Sequence, residues 1–316
     1  MTAYILRRLA LLVPVVLIVG TVTFALAQLT PGDPAAVMLG SEATPDQVEA
    51  LRDEMGLNEP AYVQYPKWLL DALQLDFGRS IFLDRPVSDA ILDRITPTIQ
   101  LTLYALVIGV GLGVPTGVIA ALNRNSILDR ALMLLAMSGT AIAGFFLGIL
   151  LILLFAVTLR WLPSGGYAAL TDDPVQHFRS MILPSLAVGL SIAGLPARLV
   201  RSTMLDVLHE DYIRTAVAKG LPPRRVAIGH ALRNALMPAV TVFGYTLGDL
   251  LGGAVVVETV FGLPGMGQLV FNSIARRDFP VIQGVVMTIA VFYLLANLLV
   301  DILYVAIDPR VRHVER

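Results

Sequence analysis

Long runs of residues without a charged side chain constrain the fold of this sequence more than any other feature. Five runs contain no Asp, Glu, Lys or Arg, and a sixth contains only Asp249. These runs cover residues 9–32, 95–123, 131–159, 180–197, 279–300 and 234–257. An ionised side chain costs roughly 3 kcal/mol or more in hydrocarbon, and about 20 helical residues cross a bilayer. Each run is therefore a candidate membrane span.

Six transmembrane helices are expected from these runs, and the composition agrees with that number. The spans are predicted at residues 9–29, 97–122, 131–158, 181–200, 235–257 and 281–304. The chain is 56% hydrophobic and 15% charged, whereas soluble domains are about 25% charged. The expected fold class is an all-α integral membrane protein with a single transmembrane domain over residues 1–316. Glycines within the spans are expected to allow close helix packing.

The first run also has the features of a cleavable signal peptide. Arg7-Arg8 precedes an apolar stretch that ends near Ala25-Leu26-Ala27, which is the usual order of a signal sequence. We favour a retained span, because the apolar stretch is long for a signal peptide and residues 30–34 are typical of a helix exit.

The distribution of arginine and lysine among the connections predicts the orientation. Cytoplasmic loops carry an excess of these residues. The segments that fit the cytoplasmic side are 1–8, 123–130, 201–233 and 305–316. Both termini are therefore expected in the cytoplasm. Segment 31–94 has 12 acidic and 5 basic residues, a balance of −7, and is expected on the extracytoplasmic side.

The extracytoplasmic insert, residues 31–94, contains signals for local folding. Thr44-Pro45-Asp46-Gln47 has a capping residue, a proline at the first helical position and a glutamine three residues after the cap. A helix is predicted from there to Gly56, a second over Pro60–Leu73, and a turn at 76–80. The insert is either a small cap folded on the membrane surface or a docking or gating element for an extracellular partner.

The loop between the fourth and fifth spans, residues 201–234, is basic and punctuated by glycine. Residues 211–219 are predicted to form a short amphipathic helix whose acidic start and basic end suit the helix dipole. Gly220 is expected to end this helix in the left-handed conformation, and Arg224–Leu236 to form a second helix that leads into the fifth span. The apolar side of the first helix is predicted to consist of Tyr212, Ile213, Ala216 and Val217. An alternative interpretation is a juxtamembrane helix that binds anionic lipid through its arginines.

Several stretches, in this order along the chain, carry a family resemblance. The loop, with Thr215-Ala216 ahead of Gly220, resembles the "EAA" loop of binding-protein-dependent ABC importer permeases. The whole set is similar to the first-permease type of the dipeptide/oligopeptide/nickel subfamily. The other stretches are Leu29-Thr30-Pro31-Gly32-Asp33-Pro34, Asp76-Phe77-Gly78-Arg79-Ser80-Ile81, the segment from Glu258 to Gly267 and the segment from Asp301 to Pro309.

The resemblance implies a permease of the type I ABC importer kind that forms half of a translocation path in a bacterial inner membrane. It implies as partners a second homologous permease, two ATPase subunits or one fused ATPase, an extracytoplasmic substrate-binding protein and membrane lipid, but no nucleic acid. ATP and Mg would be bound by the ATPase partners, with no cofactor on this chain. The residues implied in ATPase coupling are Tyr212, Ile213, Arg214, Thr215, Ala216, Val217, Lys219 and Gly220.

Arg214 departs from the family pattern. The general family loop has a glutamate six residues before the glycine, where it forms an ion pair with the ATPase, and this chain has Arg214 there. That ion pair cannot be transferred to this chain. Docking is therefore expected to depend on shape and apolar contact around Tyr212 and Ala216.

The sequence contains no motif for an energy source or for catalysis. A phosphate-binding loop of the form G-x-x-x-x-G-K-[ST] does not occur, so ATP hydrolysis must come from a partner. The sequence has no cysteine, no H-E-x-x-H and no G-x-S-x-G. The four histidines are expected to be solvated in loops or at helix ends. We therefore predict no catalytic and no metal site, which disfavours an intramembrane enzyme.

The translocation path is less defined by the sequence. Asp249 is the one charged residue within the six apolar runs, and it either lines the path or has a structural hydrogen bond. Asn297 and Asp301 are candidate gate or packing residues, and Met266 is either a gate residue or a packed methionine. A lone Asp249 gives little support to an ion-coupled secondary transporter. The resemblance implies dipeptides and oligopeptides as solutes, with nickel, glutathione and haem as alternatives.

Overall fold

A computed structural model describes residues 2–29, 33–40, 43–54 and 56–307. Within these ranges the side chains of residues 2–9, 38, 54, 223, 237–245, 247, 249, 251, 301 and 303–307 are not described. The described chain is helical, with one isolated bridge between Arg79 and Pro86. The helices are α1 Thr2–Leu29, α2 Pro34–Leu39, α3 Pro45–Glu54, α4 Ala61–Leu73, α5 Val87–Leu122, α6 Ile127–Ala141, α7 Gly144–Leu151, α8 Pro174–Leu208, α9 Asp211–Ala218, α10 Pro223–Arg225, α11 Leu232–Phe261, α12 Met266–Arg276 and α13 Phe279–Ile307. Two π-helical segments follow α7 and α10, at Ile152–Thr158 and Val226–Ala231.

Among the described residues, four to six helical segments can cross a membrane. The four that are long and apolar enough by themselves are Ala10–Leu29, Val87–Leu122, Pro174–Leu208 and Phe279–Val300. Two bent pairs raise the number to six if each pair is one span, namely Ile127–Ala141 with Gly144–Thr158 and Gly252–Phe261 with Met266–Arg276. The all-helical membrane fold is thus confirmed. The predicted fifth span lies within α11, whereas α12 was not predicted.

The third predicted span is not one straight helix. The chain bends by 104° between α6 and α7, and the last part adopts π-helical hydrogen bonding. The uninterrupted apolar run 131–159 contains no proline that would predict this break. The fourth span is longer than predicted, because α8 continues past Arg198 and Arg201 to Leu208.

Contacts divide the chain into two compact units. One consists of Met1–Thr96 with Pro264–Leu294, and the other of Pro97–Leu263 with Leu295–Arg316. In the first unit, α3 begins as its sequence predicts: the Thr44 amide donates to Gln47 Oε1 at 2.9 Å, and the Gln47 amide donates to Thr44 Oγ1 at 3.4 Å. This reciprocal cap satisfies two amides at the helix start.

Aromatic side chains join the insert to the first span. Tyr65 and Trp68 of α4 lie 5.4 and 5.8 Å, ring centre to ring centre, from Phe24 of α1. The Tyr65 hydroxyl is 2.8 Å from Thr21 Oγ1. The predicted helix over Pro60–Leu73 is therefore confirmed, and it packs along the C-terminal half of α1.

The predicted turn at 76–80 is fixed to the start of α13. Ser80 Oγ donates to Asp278 Oδ2 at 2.5 Å, and the Leu83 amide donates to Ser80 Oγ at 2.9 Å. Asp278 is 2% exposed, and its main-chain carbonyl accepts from the Ile282 amide within α13. One carboxylate therefore holds the end of the insert.

The second unit is built around α8, against which α6, α7 and α11 pack. Several of its glycines face main-chain atoms of the opposing helix, so the helices approach closely at these positions. A Cβ atom on Gly113 or Gly117 of α5 would lie 2.7 Å from Ala193 O or 2.5 Å from Ala197 O of α8. On α6, a Cβ atom at Gly139 would lie 2.7 Å from Leu190 O. The expected packing role of spanning glycines is confirmed for these positions.

Candidate functional site

Helix α9 and the turn after it form the central part of the predicted coupling loop. The helix covers Asp211–Ala218 and ends where Gly220 adopts φ +78°. The Gly220 amide donates to Val217 O at 2.9 Å and the Leu221 amide to Ala216 O at 3.3 Å. These two bonds satisfy the last helical carbonyls and require the left-handed residue between them. The predicted stop at Gly220 is confirmed.

The inner side of α9 is fixed to its own chain. Ile213 is 3% exposed and Ala216 is 8% exposed. Both belong to one apolar cluster with Ala121 of α5, Val200 and Met204 of α8, and Val226, Ala227, Ala231 and Ala235 of the chain leading into α11. Burial of this cluster packs α9 closely against the helices that flank it.

Two polar contacts reinforce that attachment. Asn234 Nδ2 donates to the Tyr212 hydroxyl at 2.7 Å, which joins α9 to α11. Thr203 Oγ1 donates to Ala235 O at 2.9 Å, which joins α8 to α11. The first contact therefore holds the loop helix to α11, and the second holds α8 to the same helix.

The outward side of α9 differs from the prediction. Tyr212 is 43% exposed and Val217 is 57% exposed, whereas Ile213 and Ala216 are buried. Of the four residues predicted for the apolar side, Tyr212 and Val217 are therefore exposed, whereas Ile213 and Ala216 pack against the chain itself. Arg214, Thr215 and Lys219 are exposed beside them. Arg214 lies 3.5 Å from the exposed Asp211 carboxylate, a weak surface contact.

The four predicted path or gate residues lie on three helices, and the structure describes the side chains of two of them. Met266 begins α12 and is fully buried, which corresponds to a packed methionine in this conformation. Asn297 is half-buried on α13. Asp249 and Asp301 lie within α11 and α13, but their side chains are outside the described part of the chain.

Glu258 is a buried ionisable residue that the sequence reasoning did not select. It is fully buried in α11, and Thr98 Oγ1 of α5 donates to its Oε1 at 2.6 Å. The predicted fifth span ended at residue 257, so this carboxylate was assigned to a connection. A carboxylate directly after the apolar run Ala254–Val257 was the available signal.

His177 is also buried, and the expectation that all four histidines are solvated is wrong for it. Its Nδ1 lies 2.8 Å from Ala168 O and its Nε2 lies 3.1 Å from the Tyr104 hydroxyl. Because a carbonyl only accepts, Nδ1 donates to Ala168 O, and Nε2 forms the contact with the Tyr104 hydroxyl. Tyr167 donates to Gln100 at 3.0 Å beside it, and burial raises the pKa of the Tyr167 phenol, with added contributions from Tyr104 and Asp172.

Within the described residues, no cluster of three or more His, Asp or Glu side chains could hold a metal ion. Helix α9 is instead a short helix with one exposed side, packed against the long helices α8 and α11 of a chain with several candidate membrane spans. Such an architecture places the chain among the helical integral membrane proteins.

The comparisons with known proteins identify its family. Residues 113–313 match the family described as "Binding-protein-dependent transport system inner membrane component", and residues 1–102 match the N-terminal family of the same component. The chain belongs to this family of ABC importer permeases, which are non-catalytic membrane components.

Relatives match along the whole chain. A Brucella abortus (strain 2308) protein named "Putative peptide transport system permease protein" is 46% identical over 99% of this chain and 100% of its own length. The glutathione transport system permease protein of Escherichia coli (strain K12) is 43% identical over the same shares. An inward-facing structure of the MetNI methionine ABC transporter matches 69% of this chain and 96% of the solved chain, with a TM-score of 0.57 and 19% identity. That match supports the type I importer permease fold.

Proposed function

We propose that this permease imports peptides of the dipeptide or oligopeptide class, as one half of a translocation path. It works with a second homologous permease, two ATPase subunits or one fused ATPase, and an extracytoplasmic substrate-binding protein. The ATPase subunits bind ATP and Mg. The whole chain, residues 1–316, acts as one transmembrane permease domain.

The attachment of α9 is the observation that carries the coupling mechanism. Ile213 and Ala216 hold α9 to the spans, so a partner that moves its outer face moves α8 and α11 with it. Closure of the ATPases on ATP binding would favour one orientation of these helices and so shift the path from inward-open to outward-open. Tyr212 and Val217 provide apolar contact, Arg214, Thr215 and Lys219 the polar rim, and Gly220 the exit angle.

Sidedness follows from charge. The loop 201–234 is placed in the cytoplasm together with both termini, and the insert 31–94 on the opposite side, because of the arginine bias and the acidic insert. The insert surrounds a cleft of about 530 Å³. Charged side chains of both signs line it, including Asp33, Arg52, Glu59, Lys67, Asp71 and Asp76. Such a surface suits docking of the binding protein by complementary charge.

Peptides are proposed as substrate because one full-length relative is named for peptide transport and another for glutathione transport. Glutathione is itself a tripeptide, so a peptide backbone and carboxylate are common to both. We retain as candidate path or gate residues Asp249, Met266, Asn297 and Asp301. We add the buried Glu258 to this group.

Uptake by the reconstituted transporter tests this proposal. The full chain is isolated with its accompanying subunits, placed in liposomes with the binding protein, and supplied with a radiolabelled dipeptide. We expect the dipeptide to accumulate only when ATP is present on the side of the membrane where the ATPases lie. This accumulation should persist when a protonophore is added. Competition by unlabelled tripeptide, glutathione, nickel or haem then ranks the solutes.

Two results would contradict the proposal in different ways. Uptake abolished by the protonophore at constant ATP would indicate an ion-coupled transporter. ATP-dependent uptake of nickel or haem with no dipeptide competition would retain the coupling mechanism and overturn the peptide assignment.

A further inference from the structure

A cleft of about 330 Å³ between α6 and α8 carries more positive charge than its surroundings neutralise. Six residues line it: Asp129, Arg130, Met133, Met137, Arg198 and Arg201. Arg201 is already paired, because its Nε and Nη2 each lie 2.6 Å from the oxygens of the Asp129 carboxylate. Asp129 is only 3% exposed and also accepts from the Asn125 amide at 3.0 Å. Its acceptor capacity is therefore used locally.

Arg130 and Arg198 remain as the two exposed cations of the cleft. Neither guanidinium group has a hydrogen bond or a salt bridge to a described residue, and only the charge of Arg130 also acts on the nearby Asp129 carboxylate. With one arginine neutralised by Asp129, the cleft has two positive charges in excess. Guanidinium groups bind phosphate oxygens through paired N–H donors, so an anion with phosphate geometry is the ligand that fits.

The position of both arginines along the chain selects a lipid as the source of that phosphate. Arg130 directly precedes the charge-free run 131–159, and Arg198 directly follows the charge-free run 180–197. Both therefore stand at the end of an apolar run on adjacent helices, which is the depth of lipid headgroups. A soluble anion would not require this position.

The apolar side of the cleft fits an acyl chain. Met133 and Met137 follow Arg130 at helical spacing, so all three lie on one side of α6. Leu134 is 70% exposed beside them, and Leu195 of α8 is 40% exposed. Flexible methionine side chains adapt to an irregular chain. We propose that this cleft binds an anionic phospholipid, with its phosphate between Arg130 and Arg198 and an acyl chain along Met133 and Met137.

Native mass spectrometry of the full chain, purified with its accompanying subunits in detergent, tests the proposal. The probes are phosphatidylglycerol and phosphatidylcholine with identical acyl chains, together with soluble glycerol phosphate. We expect phosphatidylglycerol to bind more tightly than the other two. Each basic contact to an anionic lipid surface is worth about 1 kcal/mol, so Arg130→Gln and Arg198→Gln should each raise the Kd for phosphatidylglycerol roughly fivefold and the double variant roughly thirtyfold.

Two control variants distinguish lipid binding in the cleft from non-specific electrostatic attraction and from misfolding. Arg124→Gln removes an exposed arginine of the same connection that does not line the cleft, and should leave the Kd unchanged. The double variant Arg130→Lys with Arg198→Lys keeps both charges and should stay within about threefold of the wild type, since only the paired geometry is lost.

Three outcomes would overturn the lipid site. One is an unchanged Kd for phosphatidylglycerol in the double glutamine variant, and another is an equal loss in Arg124→Gln. The third is glycerol phosphate binding as tightly as phosphatidylglycerol, which would indicate a free-anion site. Because Asp129 and Arg201 are untouched, the variants keep the contact between α6 and α8.

Discussion

Gly220 is the residue at which local backbone geometry and proposed function coincide. Its φ of +78° costs a residue with a side chain about 1–2 kcal/mol. No described atom lies within 4 Å of an added Cβ atom, so the cost is conformational and not steric. We expect Gly220→Val to leave the protein inserted and assembled but to lower uptake at least tenfold while ATP hydrolysis continues. Parallel assays of dipeptide uptake and phosphate release measure this.

Gly229→Ala is the matched control for that substitution. It also has open space around an added Cβ atom, but its φ is not positive. Uptake should be unchanged in this variant, and Gly220→Asn should retain part of it because asparagine tolerates the left-handed conformation. Wild-type uptake in Gly220→Val would refute the role of the turn.

Val217 tests whether the outer face of α9 docks through apolar contact. Its side chain is 57% exposed, so Val217→Asp should cost the isolated chain little, yet would bury an unpaired carboxylate in the interface. We expect recovery of the ATPase subunits with the purified chain to fall at least tenfold. Val217→Thr, of similar shape, should retain most of it.

Arg214→Glu provides the comparison at the position where the family has glutamate. Arg214 is largely exposed, and its contact with Asp211 is long at 3.5 Å. Because surface ion pairs contribute about 0–1 kcal/mol, reversal should change ATPase recovery less than fivefold. A larger loss than in Val217→Asp would mean that docking rests on an ion pair after all.

Single residues were predictable where the signal is local. Gly220 could be placed because a glycine after an amphipathic helix is the usual stop, and Thr44 because its capping partner is three residues away. The sequence could not show that Ile213 and Ala216 are buried while Tyr212 and Val217 are exposed. All four are apolar residues of one short helix, and the sequence does not indicate which of them a neighbouring helix covers. His177 and Glu258 were missed because their partners, Tyr104 and Thr98, are 73 and 160 residues distant.

At the scale of the elements, the contact between α5 and α8 depends on glycine. An added Cβ atom at Gly117 would lie 2.5 Å from Ala197 O and 2.9 Å from Val200 Cβ. Because neither backbone can yield without separating the helices, Gly117→Ala should destabilise the protein by about 1–3 kcal/mol. Gly111→Ala, on the same helix with no described atom within 4 Å, should be neutral. Thermal unfolding in detergent compares the two, and equal midpoints would contradict the close-packing argument.

The ion pair between Asp129 and Arg201 joins α6 to α8. Replacing Arg201 by glutamine leaves a carboxylate that is 3% exposed without its bidentate partner, and loss of one member of a buried pair costs about 3–5 kcal/mol. We expect Arg201→Gln to lower the unfolding midpoint markedly and additional Asp129→Asn to recover part of the loss.

The exposed pair between Arg52 and Asp33 is the control for this prediction. The distance from Arg52 Nε to Asp33 Oδ2 is 3.1 Å, and the side chains of Arg52 and Asp33 are 40% and 23% exposed. Arg52→Gln should therefore cost no more than about 1 kcal/mol. A comparable loss in both variants would show that burial does not set the strength of the α6–α8 pair.

The elements were predictable where hydropathy or capping defines them. Helices α3, α4 and α9 agree with the sequence to within a residue or two, whereas α2 of the insert was not predicted. The ends of α5 and α8 did not, because charged residues end a charge-free run without ending a helix: α5 begins at Val87 and α8 continues to Leu208. The bend between α6 and α7 could not be predicted. Gly139 and Gly144, on either side of it, pack against Leu190 and Ser191 of α8, and a contact with a distant helix leaves no signal in the local sequence.

For the whole molecule, membership in the importer permease family and the all-helical membrane fold followed from hydropathy and from motifs spread along the chain. The partition of contacts into two units did not, since α5 and α13 each contribute residues to both. Hydropathy locates membrane segments but contains no information on which segments pack together.

The orientation of the whole chain in the membrane yields the final prediction. The sequence contains no cysteine, so a single introduced thiol reports its own side without background. Ala61 begins α4 of the insert and Ala218 ends α9 of the loop, and both are exposed. The arginine bias predicts that a membrane-impermeant maleimide added to intact cells labels Ala61→Cys and not Ala218→Cys, and that permeabilised cells label both. Labelling of Ala218→Cys from outside, with Ala61→Cys protected, would reverse the topology and remove the loop from the ATPases.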